Sequence, residues 1–370
     1  MRIGIDARMI GKGFGIGRYI EQLVLHLENI DTENQYILFV NESGVSSKKF
    51  GKSFEIVEVN IPWYTLEEQF KFPGIIKKKK VDLMHFPHWN VPLFYTDPFV
   101  LTIHDLTMFH YPRPEATTLG PLKFWFKDKA HRFVLRRGAK RAKHIITTSE
   151  FVKHDIHKTL GIPEGTMTTV YQAPFRNTMY GTPNTKEILD RFGLGRPYVL
   201  YVGAAYPHKN LERLLDAWKI FEGRYGNQFT LVLAGKEDIF YKRLKSKIQS
   251  PTSVVFTNFV EDHELSVLYE NAELFVFPSL SEGFGLPPLE AMQCCVPVIS
   301  SNASCLPEVL GEGAFYFDPE DSHYIADVMH VALSDNDLRR EIKEKAQEEL
   351  KRFSWERLAK QTLNIYKSSI

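Results

Sequence analysis

Residues 274–308 read LFVFPSLSEGFGLPPLEAMQCCVPVISSNASCLPE, and this stretch decides the fold. It opens with an apolar run, Leu274–Phe277, that is typical of a buried strand, and a glycine-containing turn follows. Two prolines, Pro287 and Pro288, then predict the first turn of a helix, where proline is well tolerated. This order of strand, glycine turn and helix is that of a βαβ unit in a parallel sheet.

The start of this helix is a predicted anion site. Backbone N–H groups without helical partners and the positive end of the helix dipole lie there, and a diphosphate is the obvious ligand. Glu282 precedes the turn and Glu290 lies within the first helical turns, so both carboxylates can reach different parts of one ligand. If each glutamate is considered alone, the alternative interpretation is that Glu282 is a charged loop residue and Glu290 a solvated helix residue.

The same alternation of short apolar runs and longer helical patterns extends from the first residue to about residue 330. It predicts doubly wound parallel α/β sheets, and the chain exceeds the roughly 250–300 residues that one hydrophobic core supports. Residues 173–197 are rich in proline and glycine, so we place a linker there. We predict Rossmann-like domains at residues 1–175 and 190–350 facing across a cleft, with a helix at about residues 355–370 packing back on the first domain.

The composition excludes several classes of protein. Apolar residues make up 44% and charged residues 25% of the chain, which excludes disordered and fibrous proteins. A net charge of +1 gives no general basic excess, so we expect no nucleic-acid partner. The three cysteines form no CxxC pair, the opening MRIGIDARMI has the pattern of a strand and not of a leader, and no apolar run is long enough to span a membrane, so a cytoplasmic location is expected.

One basic segment stands out at residues 121–145. It contains nine Lys or Arg against the single acid Asp128, and Phe124, Trp125 and Phe126 lie among them. A basic amphipathic helix of this kind is typical of an element that binds an anionic membrane surface. A solvated helix whose aromatic side chains belong to the core is the equally supported alternative.

Two further segments carry candidate functional residues. His104 and Asp105 follow the predicted strand Phe99–Ile103, at the sheet edge where α/β folds present functional groups; a buried, hydrogen-bonded histidine and a helix-capping aspartate are the alternative. The loop GKGFGIG ends in Gly15 and Gly17, before a helix predicted to begin at Arg18, and its backbone could approach a phosphate or an acceptor. In a dinucleotide-binding fold an acidic residue is expected at the end of the next strand. The next strand here ends without one, which argues against dinucleotide binding.

No metal is expected. Residues Asp335 to Asp337 match a DxD pattern that can bind a divalent metal, but the surrounding SDNDLRREI predicts that Ser334 or Asp335 caps a charged helix. The pair His85 and His88 lacks a convincing third ligand.

The segment SLSEGFGLP followed by EAM, residues 279–287 and 290–292, resembles the E-x7-E signature of the retaining glycosyltransferases of family 4, which have the two-domain GT-B fold. The resemblance covers nearly the whole chain in order. Its other landmarks are Val202–Gly203, Pro207–Leu211, Asp262–Tyr269, Pro297–Val298, Leu306–Val309, Gly15–Tyr19, Thr102–Leu106 and Thr148–Phe151.

The resemblance implies roles for single residues in the second domain. A nucleotide sugar would bind there, with Glu290 holding the ribose hydroxyls and Glu282 lying against the sugar. Lys209 would neutralise the diphosphate, whose charge grows as the sugar leaves, so that its effect would be catalytic. Sugar hydroxyls and the distal phosphate would bind the backbone amides of Gly283, Phe284, Gly285 and Leu286.

The resemblance also implies that His104 reaches the donor sugar and that Gly203 lies in the donor site. Many family members carry an arginine soon after that glycine and another at the position of His208, whereas here alanines follow Gly203. Either His208 supplies a pH-dependent donor or another basic residue completes the site. Asp105, like Gly15 and Gly17, is assigned to the acceptor or phosphate side. It could be the base for the acceptor, but in retaining enzymes of this kind the leaving phosphate is expected to take the acceptor proton.

The expected activity is retaining, metal-independent transfer of a hexose from a nucleotide diphosphate to a glycan or lipid-linked glycan hydroxyl. It would need no cofactor and no protein nucleophile. The segments TIHDL and GIGRY look most like mannosyl- and rhamnosyltransferases of surface polysaccharide synthesis, which favours GDP-mannose. The alternatives are a rhamnosyl- or glucosyltransferase of the same fold, a nucleotide-sugar epimerase, a glycogen-type phosphorylase and a non-catalytic nucleotide-sugar-binding scaffold.

Overall fold

The computed structural model describes residues 1–11, 15–42, 54–112, 121–175, 184–195, 197–248 and 253–370, with only the backbone of residues 121–123. The chain forms two compact units. The first unit contains Met1–Phe109, Thr117–Gln172 and Ser354–Ile370, and the second contains His110–Ala116 and Ala173–Phe353. The predicted linker and the loop before the first helix lie partly outside the described residues.

A seven-stranded parallel sheet forms the first unit, in the order β3-β2-β1-β4-β5-β6-β7. Successive residues of a strand point to opposite faces of this sheet: Leu38 belongs to one apolar core, and Ile37 and Phe39 belong to the other. Burial on both faces explains why these strands are nearly continuous apolar runs. The strands are β1 Arg2–Asp6, β2 Gln35–Val40, β3 Phe54–Glu58, β4 Leu83–Phe86, β5 Phe99–Ile103, β6 His144–Thr147 and β7 Met167–Thr169.

The helices of the first unit cover both faces of this sheet. The last helix packs against the first, and Leu358 and Tyr366 are buried there in the same core as Leu23. The helices are α1 Gly15–Ile30, α2 Leu66–Lys78, α3 Thr107–His110, α4 Pro121–Arg141, α5 Glu150–Leu160 and α14 Trp355–Ser368.

A six-stranded parallel sheet forms the second unit, in the order β10-β9-β8-β11-β12-β13. Its strands are β8 Tyr198–Val202, β9 Thr230–Ala234, β10 Val254–Asn258, β11 Leu274–Phe277, β12 Val298–Ser301 and β13 Phe315–Phe317. Its helices are α6 Thr185–Arg191, α7 Leu211–Tyr225, α8 Ile239–Ser246, α9 Asp262–Glu270, α10 Leu286–Gln293, α11 Leu306–Leu310, α12 Ser322–Ser334 and α13 Asn336–Leu350.

The strand order reverses once in each sheet. In the first unit β1 and β4 are neighbours whose chains continue to opposite sides, and in the second unit β8 and β11 have the same relation. The carboxyl ends of such a pair leave a crevice between diverging connections, which is where open α/β sheets bind ligands. The predicted doubly wound architecture is therefore confirmed, and each unit has one such switch point.

One local prediction is wrong. The helix expected to begin at Arg18 begins at Gly15, so that Gly15 and Gly17 lie in the first turn of α1 and not in a loop. A Cβ on Gly17 would come within 2.5 Å of the carbonyl oxygen of Met9, whereas a Cβ on Gly15 would meet nothing within 4 Å. Gly17 thus lets α1 approach the turn after β1, and binding of a ligand by either glycine stays a prediction.

None of the helices within the described ranges combines the length and the apolar character that crossing a bilayer requires.

Candidate active site

The switch point of the second unit joins two loops. The amide of Leu280, after β11, donates to the carbonyl of His208, after β8, at 2.7 Å. Asn210 reinforces this connection, since its side-chain amide donates to the carbonyls of Pro278 at 3.1 Å and Pro319 at 2.7 Å. Asn210 adopts a left-handed backbone with φ of 61°, which asparagine tolerates better than most residues.

Lys209 and Glu282 meet across these loops. The Lys209 Nζ lies 2.6 Å from Glu282 Oε1, and the two side chains are only 17% and 12% exposed. The ammonium also lies 5.6 Å from the centroid of the Phe277 ring. An ammonium has three N–H donors, so this ion pair leaves Lys209 able to bind a further anion. The sequence assigned these residues to different parts of one ligand, and the structure places them in direct contact.

The backbone of Glu282 is held from both sides. Its amide donates to Ser304 Oγ at 3.1 Å, and its carbonyl accepts from Cys305 Sγ at 3.3 Å. Ser304 has a φ of 56°, an uncommon conformation for serine. Burial raises the pKa of Cys305, which keeps it a thiol that can donate. Sequence reasoning missed both residues, because a serine and a cysteine after β12 give no signal that they support Glu282.

The helix that follows Glu282 begins at Leu286, as the prolines predicted. Gly285 precedes it with φ of 91°, and a Cβ there would lie 2.8 Å from Leu306 Cδ2, so glycine is required for two separate reasons. Pro287 and Pro288 have no N–H, which leaves Gly285 and Leu286 as the amides at this helix start. The predicted anion site thus offers fewer backbone N–H donors than the start of a helix usually does. The side chain of Phe284 packs in the core against Phe353.

Glu290 lies one turn further along α10. Its Oε2 accepts a hydrogen bond from the hydroxyl of Tyr269 at 3.0 Å. Tyr269 is buried at the end of α9, with its ring against Phe275. This tyrosine orients the carboxylate, and it occurs in the sequence pattern only as a landmark without a role.

Gly203 ends β8 in a conformation that demands glycine. Its φ is 152°, and a Cβ would lie 2.7 Å from the Tyr201 hydroxyl. Its carbonyl accepts from the Tyr241 hydroxyl at 2.7 Å, and a Cβ on Gly235 would come within 2.1 Å of the same oxygen. The ends of β8 and β9 therefore approach so closely that both residues must be glycine.

His208 is buried, with 4% of its surface exposed. Its ring lies between those of Tyr206, at 5.9 Å, and Tyr111, at 6.1 Å. This environment differs from that of an exposed arginine, because the imidazole is buried and packs against aromatic rings. The side chain at the position of the family arginine is thus part of an aromatic cluster.

His104 directly follows β5 in the first unit, and both of its ring nitrogens have partners. Nε2 donates to the carbonyl of Pro87 at 2.9 Å, and Nδ1 accepts from the Gln172 side-chain amide at 3.3 Å. The edge of the Tyr19 ring packs against it at 4.9 Å. Burial lowers the pKa of His104, so the neutral tautomer with hydrogen on Nε2 is the stable form.

A buried polar chain supports this histidine. Tyr366 on α14 contacts His85 Nδ1 at 2.6 Å, and His85 Nε2 contacts Thr102 Oγ1 at 2.8 Å. Thr102 reaches the Tyr19 hydroxyl at 3.3 Å, which continues the chain to the ring beside His104. Burial lowers the pKa of His85 to about 3, and its two nitrogens serve this chain.

The remaining candidates have capping roles. Asp105 Oδ1 accepts from the amide of Thr107 at the start of α3, at 2.7 Å. Asp335 Oδ1 accepts from the amide of Leu338 at 2.9 Å, so that it caps α13 as the sequence indicated. Throughout the described ranges, no three His, Cys, Asp or Glu side chains are grouped as a metal ion requires.

The second unit thus brings five predicted site residues and one predicted segment to one switch point. They are Gly203, His208, Lys209, Glu282, Glu290 and the segment from Gly283 to Leu286. The first unit holds Gly15, Gly17, His104 and Asp105.

Two family models match the chain. Residues 15–173 match the model described as Glycosyltransferase Family 4, and residues 186–349 match Glycosyl transferases group 1. The O-antigen chain mannosyltransferase B of Escherichia coli is 28% identical over 95% of this chain and 96% of its own length.

Solved structures show the same fold. A sucrose-phosphate synthase from Thermosynechococcus elongatus matches with a TM-score of 0.77 and 20% identity, over 100% of this chain and 98% of its own. The structure of Anabaena HepE in complex with UDP and glucose matches with a TM-score of 0.75 and 18% identity, over 100% of both chains. With its two parallel-sheet domains and both family models, the chain belongs to the GT-B glycosyltransferases of family 4 and group 1.

Proposed function

We propose that this glycosyltransferase moves mannose from GDP-mannose to a hydroxyl of a glycan or lipid-linked glycan, with retention of the anomeric configuration. The observation that carries the proposal is the buried Lys209–Glu282 pair in the loops of this switch point, shortly before α10 begins. The name of the E. coli relative supports mannose as the sugar, and the bound UDP and glucose in HepE support a nucleotide sugar as the class of donor.

The donor diphosphate would rest on the amides of Gly285 and Leu286 with Lys209 beside it. Negative charge grows on the distal phosphate as the glycosidic bond breaks, so a fixed ammonium and fixed amides stabilise the transition state more than the bound donor. Glu282 would accept a hydroxyl of the transferring sugar while its other oxygen holds Lys209. Because Ser304 and Cys305 fix its backbone, Glu282 needs little reorganisation during the reaction.

Glu290 would bind the ribose diol, with its carboxylate oriented by Tyr269. Within the first unit, a ligand hydroxyl could bind His104 by replacing Gln172, whose contact with Nδ1 is the longer of the two to the ring. We propose no cofactor and no metal, because Lys209 and the two amides supply positive potential at the phosphate. The acceptor would attack from the face that the phosphate leaves, and the phosphate would take its proton.

The experiment is a donor panel with the full-length protein. GDP-mannose, UDP-glucose, UDP-galactose and dTDP-rhamnose are compared with and without methyl α-D-mannopyranoside, and nucleoside diphosphate release and anomeric proton signals are followed. We expect the fastest release from GDP-mannose, an α-linked product and no effect of EDTA. Interconversion of UDP-sugars would indicate an epimerase, release of sugar phosphate from a glycan a phosphorylase, and binding without turnover a scaffold.

We also propose that the first unit attaches to an anionic membrane surface. On α4, Trp125 and Phe126 are 52% and 66% exposed, among the basic residues that the sequence indicated. Counted on the sequence, the first unit has 26 Lys and Arg against 18 Asp and Glu, a net charge of +8. The second unit has 20 against 27, a net charge of −7, and the two add to the +1 of the chain. The small net charge of the whole chain therefore results from two units of opposite net charge.

Sedimentation with vesicles tests this attachment. We expect binding to phosphatidylglycerol vesicles and not to phosphatidylcholine vesicles, because each basic residue near an anionic surface contributes about 1 kcal/mol. Phe126→Ala should weaken binding, whereas Phe259→Ala, which removes a ring of 67% exposure from the second unit, should not. Equal binding to both kinds of vesicle, or equal loss in both variants, would contradict the proposal.

A further inference from the structure

Three aromatic rings from separate segments meet at the carboxyl edge of the first sheet. Tyr64, before α2, lies 5.4 Å from Trp89, after β4, and 5.2 Å from His131 on α4, measured between ring centroids. Trp89 and His131 are 5.6 Å apart. We call Tyr64, Trp89 and His131 the aromatic cradle. The Tyr64 side chain is exposed and the other two are half-buried, so the rings retain accessible surface.

The cradle lies at the switch point of the first sheet. Trp89 follows β4, which neighbours β1 where the strand order reverses, and this is where open α/β sheets bind ligands. Two residues before Trp89, the carbonyl of Pro87 accepts from His104. Trp89 and His131 also line a cavity of about 30 Å³ together with Asp105. The cradle therefore adjoins Asp105, which the sequence analysis assigned to the acceptor side.

Tyr64 is held in a strained conformation. Its φ is 62°, which is uncommon for a bulky aromatic residue and carries a free-energy penalty of about 1–3 kcal/mol. Its amide donates to Glu68 Oε2 at 2.8 Å, and the same oxygen accepts from the Asn90 side chain at 2.8 Å. One carboxylate thus fixes both the turn that carries Tyr64 and the residue next to Trp89.

A buried ion cluster in turn fixes Glu68, which has no exposed surface. Its Oε1 accepts from Arg8 Nη2 at 2.6 Å, and Arg8 forms a two-pronged contact with Asp6 at 2.8 and 2.7 Å. Burying three charges is unfavourable unless their geometry is satisfied, and here it fixes two aromatic segments at the protein surface. Rigid support of partly exposed rings is a feature of binding sites.

We propose that the aromatic cradle binds the apolar face of a pyranose ring of the acceptor glycan, and that Asp105 accepts a hydrogen bond from its hydroxyl groups. This inference rests on the proposed function. The C–H groups on one face of a pyranose are attracted to the electron-rich faces of aromatic rings. Thr107 occupies Oδ1 of Asp105, and the carboxylate has a second oxygen for a sugar hydroxyl.

Charged groups beside the cradle favour a sugar over an alkyl chain. Arg132 and Asp128, paired at 2.7 Å, line the same cavity as Asp105. The cavity has room for about one water molecule, so the pyranose would lie on the rings outside it with one hydroxyl directed inwards. An alkyl chain on the rings would offer no hydrogen bond to this polar cavity, whereas a sugar hydroxyl can donate one to Asp105. Carbohydrate recognition needs both an apolar face and polar groups around it, and this surface offers both.

Two variants remove single rings with different consequences for folding. Trp89→Ala deletes the indole, and Phe259→Ala is its control, because it deletes an exposed aromatic ring of the second unit that belongs neither to the cradle nor to the proposed membrane surface. Tyr64→Gly deletes the phenol at a position where glycine relieves the backbone strain, so its melting temperature should be unchanged or higher. A loss of acceptor binding in Tyr64→Gly is therefore separable from a loss of stability.

The probes are methyl and octyl α-D-mannopyranoside, with GDP-mannose as donor. We expect Trp89→Ala and Tyr64→Gly to raise the acceptor KM about tenfold, equivalent to about 1.4 kcal/mol, while donor hydrolysis without acceptor changes less than about twofold. Trp89→Phe should restore most of the affinity, and Phe259→Ala should match the wild type. An acceptor KM within about twofold of wild type in both cradle variants would overturn the proposal.

Saturation-transfer NMR on the two mannosides gives a readout independent of turnover. We expect transfer to the mannose ring protons in the wild type and its loss in both cradle variants. Transfer only to the octyl chain would indicate a lipid site, and no transfer in the wild type would overturn the proposal. Absence of donor hydrolysis in every protein, with ring transfer intact, would contradict the proposed function and leave the cradle supported.

Discussion

The two units have equivalent switch points, but they hold the loops at these points in place by different structural means. In the second unit the backbone sets the geometry: Gly203 and Gly285 have φ angles of 152° and 91°, and Asn210 has 61°. In the first unit a buried side-chain cluster of Arg8, Asp6 and Glu68 holds the loops instead. A site whose geometry is set by the backbone can be recognised in the sequence as a short glycine-containing motif. A site held by side-chain contacts depends on residues that lie far apart in the sequence.

The largest effect on stability is expected from Glu68→Ala in the first unit. Removing one partner from a buried ion cluster typically lowers the free energy of unfolding by about 3–5 kcal/mol. The neighbouring Glu67→Ala is the control, because its pair with Lys71 is exposed and contributes at most about 1 kcal/mol. Urea unfolding followed by tryptophan fluorescence measures this, since four of the five tryptophans belong to the first unit.

Similar decreases in the free energy of unfolding for Glu68→Ala and Glu67→Ala would show that the ion cluster does not stabilise the first unit. The proposed difference between the two units would then be contradicted.

Lys209→Ala is expected to have the largest effect on turnover. Loss of one fixed positive group at a developing charge lowers kcat by about 10²–10³. Lys219→Ala removes an exposed lysine from α7 in the same unit and should leave kcat unchanged. Steady-state kinetics on the donor measure both. A fall in donor affinity with normal kcat would mean that Lys209 binds the ground state and transition state equally.

Two glycines with left-handed backbones, Gly285 with φ of 91° and Gly161 with φ of 70°, separate backbone strain from steric contact. A Cβ on Gly285 would meet Leu306, whereas a Cβ on Gly161 would meet nothing within 4 Å. We expect Gly285→Ala to lower the free energy of unfolding by about 1–3 kcal/mol more than Gly161→Ala, because only the first forces packed atoms apart. Equal thermal shifts in the two variants would show that strain alone makes Gly285 necessary.

The smallest effect is expected from Tyr269→Phe. It removes the hydrogen bond to Glu290 and keeps the ring against Phe275, so about 0.5–1.5 kcal/mol of donor affinity should be lost. Calorimetric titration with GDP measures the change. Unaltered affinity would exclude a role for Tyr269 in orienting Glu290.

The comparison also explains what the sequence could predict. Strands β5 and β11 have the predicted bounds, because apolar runs between glycine or proline signals are local features. The candidate site of the second unit could be proposed from the sequence for the same reason, since Glu282, Gly285 and Glu290 lie within nine residues.

Contacts between distant segments could not be predicted in this way. Ser304 and Tyr269 lie 22 and 21 residues from the glutamates they contact, and Arg8 lies 60 residues from Glu68. Such pairs leave no periodicity or spacing in a single sequence. The helix start at Gly15 was missed because glycine is a poor helix former, and its tertiary context overrides that propensity.

The central claim is that the donor diphosphate binds at the start of α10 beside Lys209, and a crystal structure with bound GDP tests it most directly. The account predicts a distal phosphate oxygen within about 3 Å of the amide of Gly285 or Leu286 and of Lys209 Nζ. A diphosphate bound elsewhere, with Lys209 still paired only to Glu282, would contradict it.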